Sequence, residues 1–528
     1  MSVNQLAFLL LVGLSVVLYY IIPKKFQWGF LLLVSLFFYW LMGVHNFIYV
    51  IITCLSLTWG TLQIFRHSQA LEKELKEKKA ELSREERKEK KEKTKKICRR
   101  WLTGIIVLNL GILLILKYDD FLIDNLNRGL SLLGIRNRNH LGFIAPLGIS
   151  YYTLQAIGYA LEVYKGKAQP EKNPLKVLLY VTYYPQMTQG PIGRYPQMAP
   201  QLFGGHSFSF DNLAMGSRRI LWGLFKKAVI ADNLKPLVDS IFQNYDQVSG
   251  FTLFMGCIYM VLQMYADFSG YSDLVCGISK LYGIDIMENF KRPLFSQSLG
   301  EYWRRWHISL SSWFRDYVFY PASLSKGALW FGRVGKRFFS PRIKKIFPVV
   351  YAMAIVWFCT GLWHDASWRY ILWGVANGVI LIGGVVLEPW LNKTKEALHI
   401  REESKIWKGF CIVRTFLIVA LLKVFPGAGS TSESLVIIKR ILFHFSPEFT
   451  YSALFMDADW YRLVFALIGL CILLIVSIVQ ETREDAGAYL ERKPLVLRWC
   501  AYLLVLGLLV YTGNFDVKVT GGFEYAQF

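Results

Sequence analysis

Uninterrupted apolar runs recur along the whole of this chain, and Leu6 to Ile22 and Trp460 to Val479 are two of them. A hydrocarbon core about 30 Å thick takes ~20 helical residues to cross. Inside lipid there is no water to satisfy backbone N–H and C=O groups, so a spanning segment must pair them within itself. Strand alternation is absent from these runs, which leaves helices. The expectation is an all-α, polytopic integral membrane protein with approximate spans at 5–22, 26–43, 46–65, 101–117, 142–163, 174–190, 213–232, 250–267, 346–363, 368–388, 407–425, 461–479 and 496–512. The run 174–190 contains proline and polar residues and reads as re-entrant. The first run has no basic leader and no small-residue cleavage site, so it reads as a retained helix.

The net charge of +22 over 528 residues would suit nucleic acid if it were spread over a polar fold. Here the lysines and arginines fall in short loops between apolar runs, which is the pattern of loops facing anionic lipid on the cytoplasmic side. No nucleic-acid partner is expected; the bilayer is. Lys24 and Lys25 follow the first span, residues 66–100 follow the third, and Lys165, Lys167 and Lys172 follow the fifth. All three loops agree on an outside N-terminus and a cytoplasmic 66–100. That stretch carries 15 Lys/Arg against 8 Asp/Glu, with pairs such as Glu72–Lys76 and Glu74–Lys78 at helical spacing. It reads as a solvated helical extension, which divides the chain into N-terminal membrane helices at 1–65, the charged extension at 66–100 and a core at 101–528. The eight cysteines lie singly with no C-x-x-C pair, so neither a disulfide framework nor a metal site is expected. No internal repeat of the transporter kind is visible.

Between Phe268 and about Pro348 the character changes. Arg292, Arg304, Arg305 and Arg315 interleave with Trp303, Trp306 and Trp313. The stretch is too apolar for a solvent loop and too charged for a span, so it is expected to lie at the interface or to line an enclosed cavity. His307 sits in this stretch, and His364 ends the apolar run Val-Trp-Phe-Cys-Thr-Gly-Leu-Trp-His. An ionisable group at membrane depth is costly and by default marks a functional site. Imidazole also exchanges protons near neutral pH. Both histidines are therefore candidate catalytic residues.

Seven blocks in order carry a resemblance. They are Pro146-Leu-Gly-Ile-Ser-Tyr-Tyr-Thr-Leu-Gln155, Tyr184-Pro-Gln-Met-Thr-Gln-Gly-Pro-Ile-Gly-Arg194, Gly223-Leu-Phe-Lys-Lys-Ala-Val-Ile-Ala-Asp232, Tyr265-Ala-Asp-Phe-Ser-Gly-Tyr-Ser-Asp273, Glu288-Asn-Phe-Lys-Arg-Pro293, Trp303 to Tyr317 and Gly361 to Trp373. Together they resemble the membrane-bound O-acyltransferase family, in its branch of alginate-type polysaccharide O-acetylation. The closing Phe523-Glu-Tyr-Ala-Gln-Phe528 is similar to that branch's C-terminal end. The sequence departs from the branch at Asp365, where a glycine is usual. Asp365 would cap the next helix or sit as a carboxylate beside His364.

The resemblance implies helices around a central tunnel, with re-entrant and interfacial helices. It implies transfer of an acyl group, with acetyl the expected one, from a cytoplasmic thioester donor such as acetyl-CoA. The acceptor would be a hydroxyl of an extracytoplasmic polysaccharide or a partner acetyltransferase, at the cytoplasmic (inner) membrane, with no permanently bound cofactor. His364 matches the family's catalytic base and His307 its second position, where it would hold the acceptor hydroxyl, donate to the oxyanion or orient the acyl carbonyl. Asp267 and Ser269 would hydrogen-bond an imidazole or line the acceptor path. Arg304 and Arg305 would bind a donor phosphate or snorkel to the interface. Trp306, Gln155 and Gln189 complete the candidate lining. Two other readings stay open at this point: D-alanyl transfer to teichoic acid from a carrier-protein thioester, and a proton-coupled transporter or envelope scaffold. His45, His67, His140, His206, His399 and His444 lie near loops and are given no chemistry.

Overall fold

A computed structural model describes residues 6–42, 47–338, 341–482 and 486–512, and among these the regular structure is helical apart from one isolated bridge. The Phe523–Phe528 motif and His45 lie outside the described residues. Eight described helices are long and apolar enough to cross a bilayer: Phe47–Glu77, Arg84–Leu132, Gly250–Leu281, Ile346–His364, Trp368–Ala397, Lys405–Gly427, Trp460–Thr482 and Leu495–Thr512. Large apolar side chains lie bare along them; Leu503, Val510 and Leu467 are each more than half exposed. On a spanning helix that face meets lipid, not water. The protein is a polytopic membrane protein.

The chain forms two compact units. The first holds residues 9–216 and 278–287. Its helices are α1 (Leu6–Ile21), α2 (Lys24–Met42), α3 (Phe47–Glu77), α4 (Arg84–Leu132), α5 (Ile149–Tyr164), α6 (Pro174–Thr182) and α7 (Tyr195–Gly204). The charged extension is not a separate helix: α3 runs on through Glu77, the chain turns, and α4 begins at Arg84. Ser83 and Glu86 start α4 with a reciprocal capping box, which satisfies two otherwise orphaned N–H groups. Glu72 pairs with Lys76 at 2.7 Å as the spacing predicts. Glu74 instead reaches across the hairpin to Lys90, because a partner on the facing helix is available there. Gly60 lies against the Ile105 side chain and lets α3 and α4 approach closely.

The run 174–190 yields only the nine-residue α6. It stops before Pro185 and continues as a buried, non-helical segment through Arg194. Gly148, in the left-handed region at φ 70°, sits where a Cβ would lie 2.1 Å from the Met187 carbonyl oxygen. Only glycine allows α5 to start against that segment.

The second unit holds residues 217–277 and those from 288 onward. Helix α8 (Phe210–Phe225) leads into a wide π turn, Lys226–Ala231, and then α9 (Asp232–Gln243). Helix α10 (Gly250–Leu281) continues 14 residues past the span expected from hydropathy, so the irregular stretch begins after Leu281 and not at Phe268. The polar residues Asp267, Ser269 and Asp273 sit within this helix because they are paired, as described below. Next come α11 (Leu299–Arg305), α12 (Ile308–Phe314), α13 (Tyr320–Ser323), α14 (Lys326–Phe338), α15 (Pro341–His364), α16 (Trp368–Ala397), α17 (Lys405–Leu422) and α18 (Val424–Gly427). Then follow α19 (Thr431–Phe443), α20 (Tyr451–Phe455), α21 (Trp460–Thr482), α22 (Ala486–Glu491) and α23 (Leu495–Thr512).

Glycines set two close helix approaches in this unit. Gly223 and Gly270 face each other, so that a Cβ on either would fall within 2.8 Å of the other's carbonyl oxygen. Gly361 on α15 and Gly374 on α16 do the same: their Cβ atoms would lie 2.4 Å from the Tyr370 and 2.3 Å from the Trp357 carbonyl oxygens. Lipid tails are as apolar as leucine, so close backbone approach through small residues drives such pairings. Gly374→Ala should therefore lower the thermal unfolding midpoint of the detergent-purified protein, at a cost of about 1–3 kcal/mol. Gly383→Ala, with nothing within 4 Å of the new atom, should leave the midpoint unchanged.

Candidate active site

His307 is held by a short antiparallel contact between two irregular strips of the second unit. Phe290 bridges Trp306, Lys291 N–H donates to the Arg305 carbonyl at 2.9 Å, and Ile308 N–H donates to the Asn289 carbonyl at 3.0 Å. These bonds hold His307 itself in the left-handed region at φ 46°, ψ 53°. That conformation costs a non-glycine residue of order 1–3 kcal/mol and persists only where the surroundings over-determine it. The side chain is 1% exposed.

The Asn289 side chain fixes the imidazole's tautomer. Its Oδ1 accepts the Ser309 backbone N–H at 3.1 Å and the Ser309 hydroxyl at 2.9 Å, and it lies 3.2 Å from His307 Nδ1. A backbone N–H can only donate, so the asparagine atom facing it is the oxygen. Nδ1 therefore carries the proton and donates, and Nε2 is the ring's acceptor nitrogen. His307 lies outside the spanning helices, and its burial pushes its pKa down to about 3. The ring is neutral, and its hydrogen-bond acceptor is Nε2.

His364 closes α15 one turn beyond Gly361 and is 6% exposed. Its ring packs at right angles to Trp373 at 5.0 Å and stacks on Tyr370 at 6.3 Å. Trp363 joins the two histidines. Its ring centre lies 6.0 Å from that of His307 and 5.0 Å from that of His364, so the two imidazoles are at most about 11 Å apart. Phe268 covers His307 edge-on at 4.9 Å. Trp303 packs on Trp357 and Trp373 and donates its indole N–H to Asn377 at 3.2 Å. Both imidazoles thus sit among buried aromatic rings, where exclusion of water lowers the dielectric constant and strengthens any charge interaction.

The remaining candidates fall into different places. Asp267 pairs with Lys227 at 2.8 Å, and Lys227 also meets Asp232 at 2.8 Å. Ser269 accepts from Lys226 at 2.8 Å, and Lys226 pairs with Asp273 at 2.6 Å. Neighbours on an α-helix point about 100° apart; in the wide turn at 226–231 both lysines reach α10. Arg219 extends the network to Asp273 at 3.0 Å and to Glu288, the residue before Asn289. Asp267 and Ser269 thus bind lysines that tie α8 to α10. Arg305 forms a two-bond pair with Glu481 at 3.0 Å and also meets Glu301 at 2.7 Å, while Arg292 joins Glu481 at 2.6 Å. Arg304 is exposed. Trp306 is buried and stacked on Tyr302 at 5.5 Å. Gln155 and Gln189 belong to the first unit, both buried. The Gln155 amide nitrogen and both Gln189 amide atoms have no hydrogen-bond partner among the described residues, and Gln186 shares that state. Asp365 does not cap α16: Ser367 holds that position, and Asp365 lies 3.7 Å from Arg369.

Sequence reasoning passed over Asn289, Trp363 and the Lys226–Lys227 pair, although each lies in or beside a quoted block. A signal was present in two adjacent lysines within an apolar run, since buried ammonium groups require carboxylates elsewhere in the fold.

The model of the membrane-bound O-acyltransferase family matches residues 171–334, a stretch that includes His307 and Asn289 and ends before His364. The chain is 32% identical to the "Probable alginate O-acetylase AlgI" of Azotobacter vinelandii, over 69% of this chain and 64% of that protein. It is 31% identical to the peptidoglycan O-acetyltransferase of Helicobacter pylori, over 65% of each chain. It is 31% identical to the teichoic acid D-alanyltransferase of Streptococcus thermophilus, over 53% of this chain and 68% of that protein. The chain spans about three fifths of the length of the alginate relatives, 57–64% in the first three.

The Asn289 contact predicts a measurable tautomer. Nitrogen NMR of histidine-labelled protein should show His307 protonated at Nδ1, and Asn289→Leu should move the proton towards Nε2. An unchanged His307 signal in Asn289→Leu would remove the asparagine from this role.

Proposed function

The chain belongs to the membrane-bound O-acyltransferase family, and from this premise we propose that it is an O-acetyltransferase of the cell envelope. The acyl group comes from a cytoplasmic thioester, acetyl-CoA, and passes to a hydroxyl of an extracytoplasmic polysaccharide or of a partner transferase. The observation that carries this reading is the pair of buried imidazoles that both pack against Trp363. Ester formation needs a base for the hydroxyl proton and a dry, fixed site for the reacting carbonyl.

In this reading His364 removes the acceptor hydroxyl proton as its oxygen attacks the thioester carbonyl. The carbon–sulfur bond then breaks, and the imidazolium returns its proton to the departing thiolate. The products are an ester and a free thiol, with no net change in protons. His307, neutral and protonated at Nδ1, offers Nε2 to a hydroxyl next to the reacting one and so orients a sugar. The tautomer also suits the reverse assignment, in which His307 Nε2 is the base and His364 orients. The Lys/Arg loops support an N-terminus outside, residues 66–100 in the cytoplasm and the chain in the cytoplasmic membrane. D-alanyl transfer from a carrier-protein thioester is a second reading, favoured by the 68% coverage of the teichoic acid relative. Turnover with acetyl-CoA or with a D-alanyl carrier protein as donor separates the two.

His364→Ala should abolish acyl transfer by purified, folded protein, since loss of a general base costs about 10²–10⁴-fold. A small loss there beside a large one in His307→Ala exchanges the two roles, and wild-type rates in both variants sink the assignment. Protease added to intact cells should spare residues 66–100, and protease added to inverted vesicles should cut them. Cleavage from outside would reverse the topology.

A further inference from the structure

Asp365, in the turn after His364, and Arg369, in the first turn of α16, are left unused by the chemistry proposed above. The two side chains face each other at 3.7 Å, beyond hydrogen-bond distance. Asp365 has no other ion-pair partner among the described residues. The Arg369 guanidinium makes one hydrogen bond there, to the Ala428 carbonyl, and its carbon lies 5.4 Å from the centre of the Tyr370 ring. Arg305, by contrast, is closed by both oxygens of Glu481 at 3.0 Å. A guanidinium has five N–H donors and a carboxylate about four acceptor positions, so most of the capacity of this pair is open.

The pair is open to its surroundings: 29% of the Asp365 side chain and 22% of the Arg369 side chain are exposed. Lipid tails around such charges would be costly, so the turn at 365–367 faces water. Helices α15 and α16 run antiparallel, since Gly361 meets Tyr370 while Gly378 meets Trp357. The turn therefore lies at the end away from Arg342, Lys344 and Lys345 on α15 and from Lys393 and Lys395 on α16. In the orientation proposed above that is the extracytoplasmic end, from which the acceptor comes. The proposed base is close by. Tyr370 stacks on His364 at 6.3 Å, so the guanidinium and the imidazole are at most about 12 Å apart.

We propose that Asp365 and Arg369 are acceptor-binding residues that hold the hydroxyl groups of a neutral sugar unit at the mouth of the His364 site. The proposal rests on the acyltransferase reading for what arrives there. A carboxylate can only accept and a guanidinium can only donate, whereas a sugar hydroxyl does both. One hydroxyl in the gap donates to Asp365 and accepts from Arg369, and both bonds are charge-assisted. The pair has no net charge, and a uronate carboxylate would meet Asp365 as a like charge, which selects against an acidic sugar.

Binding to the full-length protein in nanodiscs tests this without requiring turnover. The probe is envelope polysaccharide from the producing cells, de-O-acetylated with alkali and separated into neutral and uronate-containing fractions. The wild-type protein should prefer the neutral fraction. Asp365→Ala should weaken that fraction about ten- to a hundredfold, the range expected for losing a hydrogen bond to a charged group, and should leave acetyl-CoA binding unchanged. The Asp365 side chain makes no hydrogen bond within the described fold, so this variant should keep the wild-type unfolding midpoint. Arg369→Leu should show the same selective loss, and Arg369→Lys should recover part of it. Unchanged binding of the neutral fraction by Asp365→Ala, an equal loss of acetyl-CoA binding, a wild-type preference for the uronate fraction, or no binding of either fraction overturns the proposal. Selective weakening in a protein that transfers no acyl group would keep the pair as a sugar site and sink the acyltransferase reading instead.

Discussion

A polar group carried into the interior of a membrane-embedded protein is costly without a partner, and the second unit pairs most of the charged side chains that hold its histidine strip. Leaving a buried donor or acceptor unmade costs about 1–3 kcal/mol, and more for a charge. Asn289 meets that demand for the histidine strip, since its oxygen receives Ser309 twice and His307 once. The Lys226, Lys227 and Arg219 network meets it for α8 and α10. Glu481 meets it for Arg292 and Arg305 at the end of α21. The arginine contacts hold the strip from Glu288 to Arg305 at both of its ends, and the backbone bonds from Lys291 to Arg305 and from Ile308 to Asn289 hold His307 in its left-handed conformation.

These pairings change what the charged residues are for. Asp267 and Arg305 look, in isolation, like groups awaiting a substrate. Each is already occupied by an oppositely charged side chain, and for the buried Asp267–Lys227 pair, loss of one partner leaves an uncompensated charge costing about 3–5 kcal/mol. Their work is to keep the aromatic layer and its two imidazoles in place. The preorganisation matters because a reacting carbonyl and hydroxyl must be held about 3–3.5 Å apart for transfer to be fast.

Much of this was legible from residue order. Apolar length gave the membrane helices, and proline with polar residues marked 174–190 as broken. Two histidines in apolar surroundings stood out as candidates, and in the structure both pack against Trp363. What was not legible depends on partners distant in sequence. Hydropathy ended α10 early, because Asp267, Ser269 and Asp273 count as polar until Lys226 and Lys227 neutralise them from another helix. Asn289 looked like an ordinary loop residue until the strip carrying it paired with the one carrying His307. Asp365 looked like a helix cap because its spacing allowed it, but the structure gives that position to Ser367 and turns Asp365 towards Arg369.

The central claim is that a donor on one face of the membrane and an acceptor on the other react at one buried centre. Proteoliposomes loaded with labelled acetyl-CoA, with an acceptor polysaccharide or partner transferase added only outside, test it directly. The account predicts label on the outer acceptor while the vesicles stay sealed and free thiol accumulates within. Label that appears only when donor and acceptor share a compartment would contradict it.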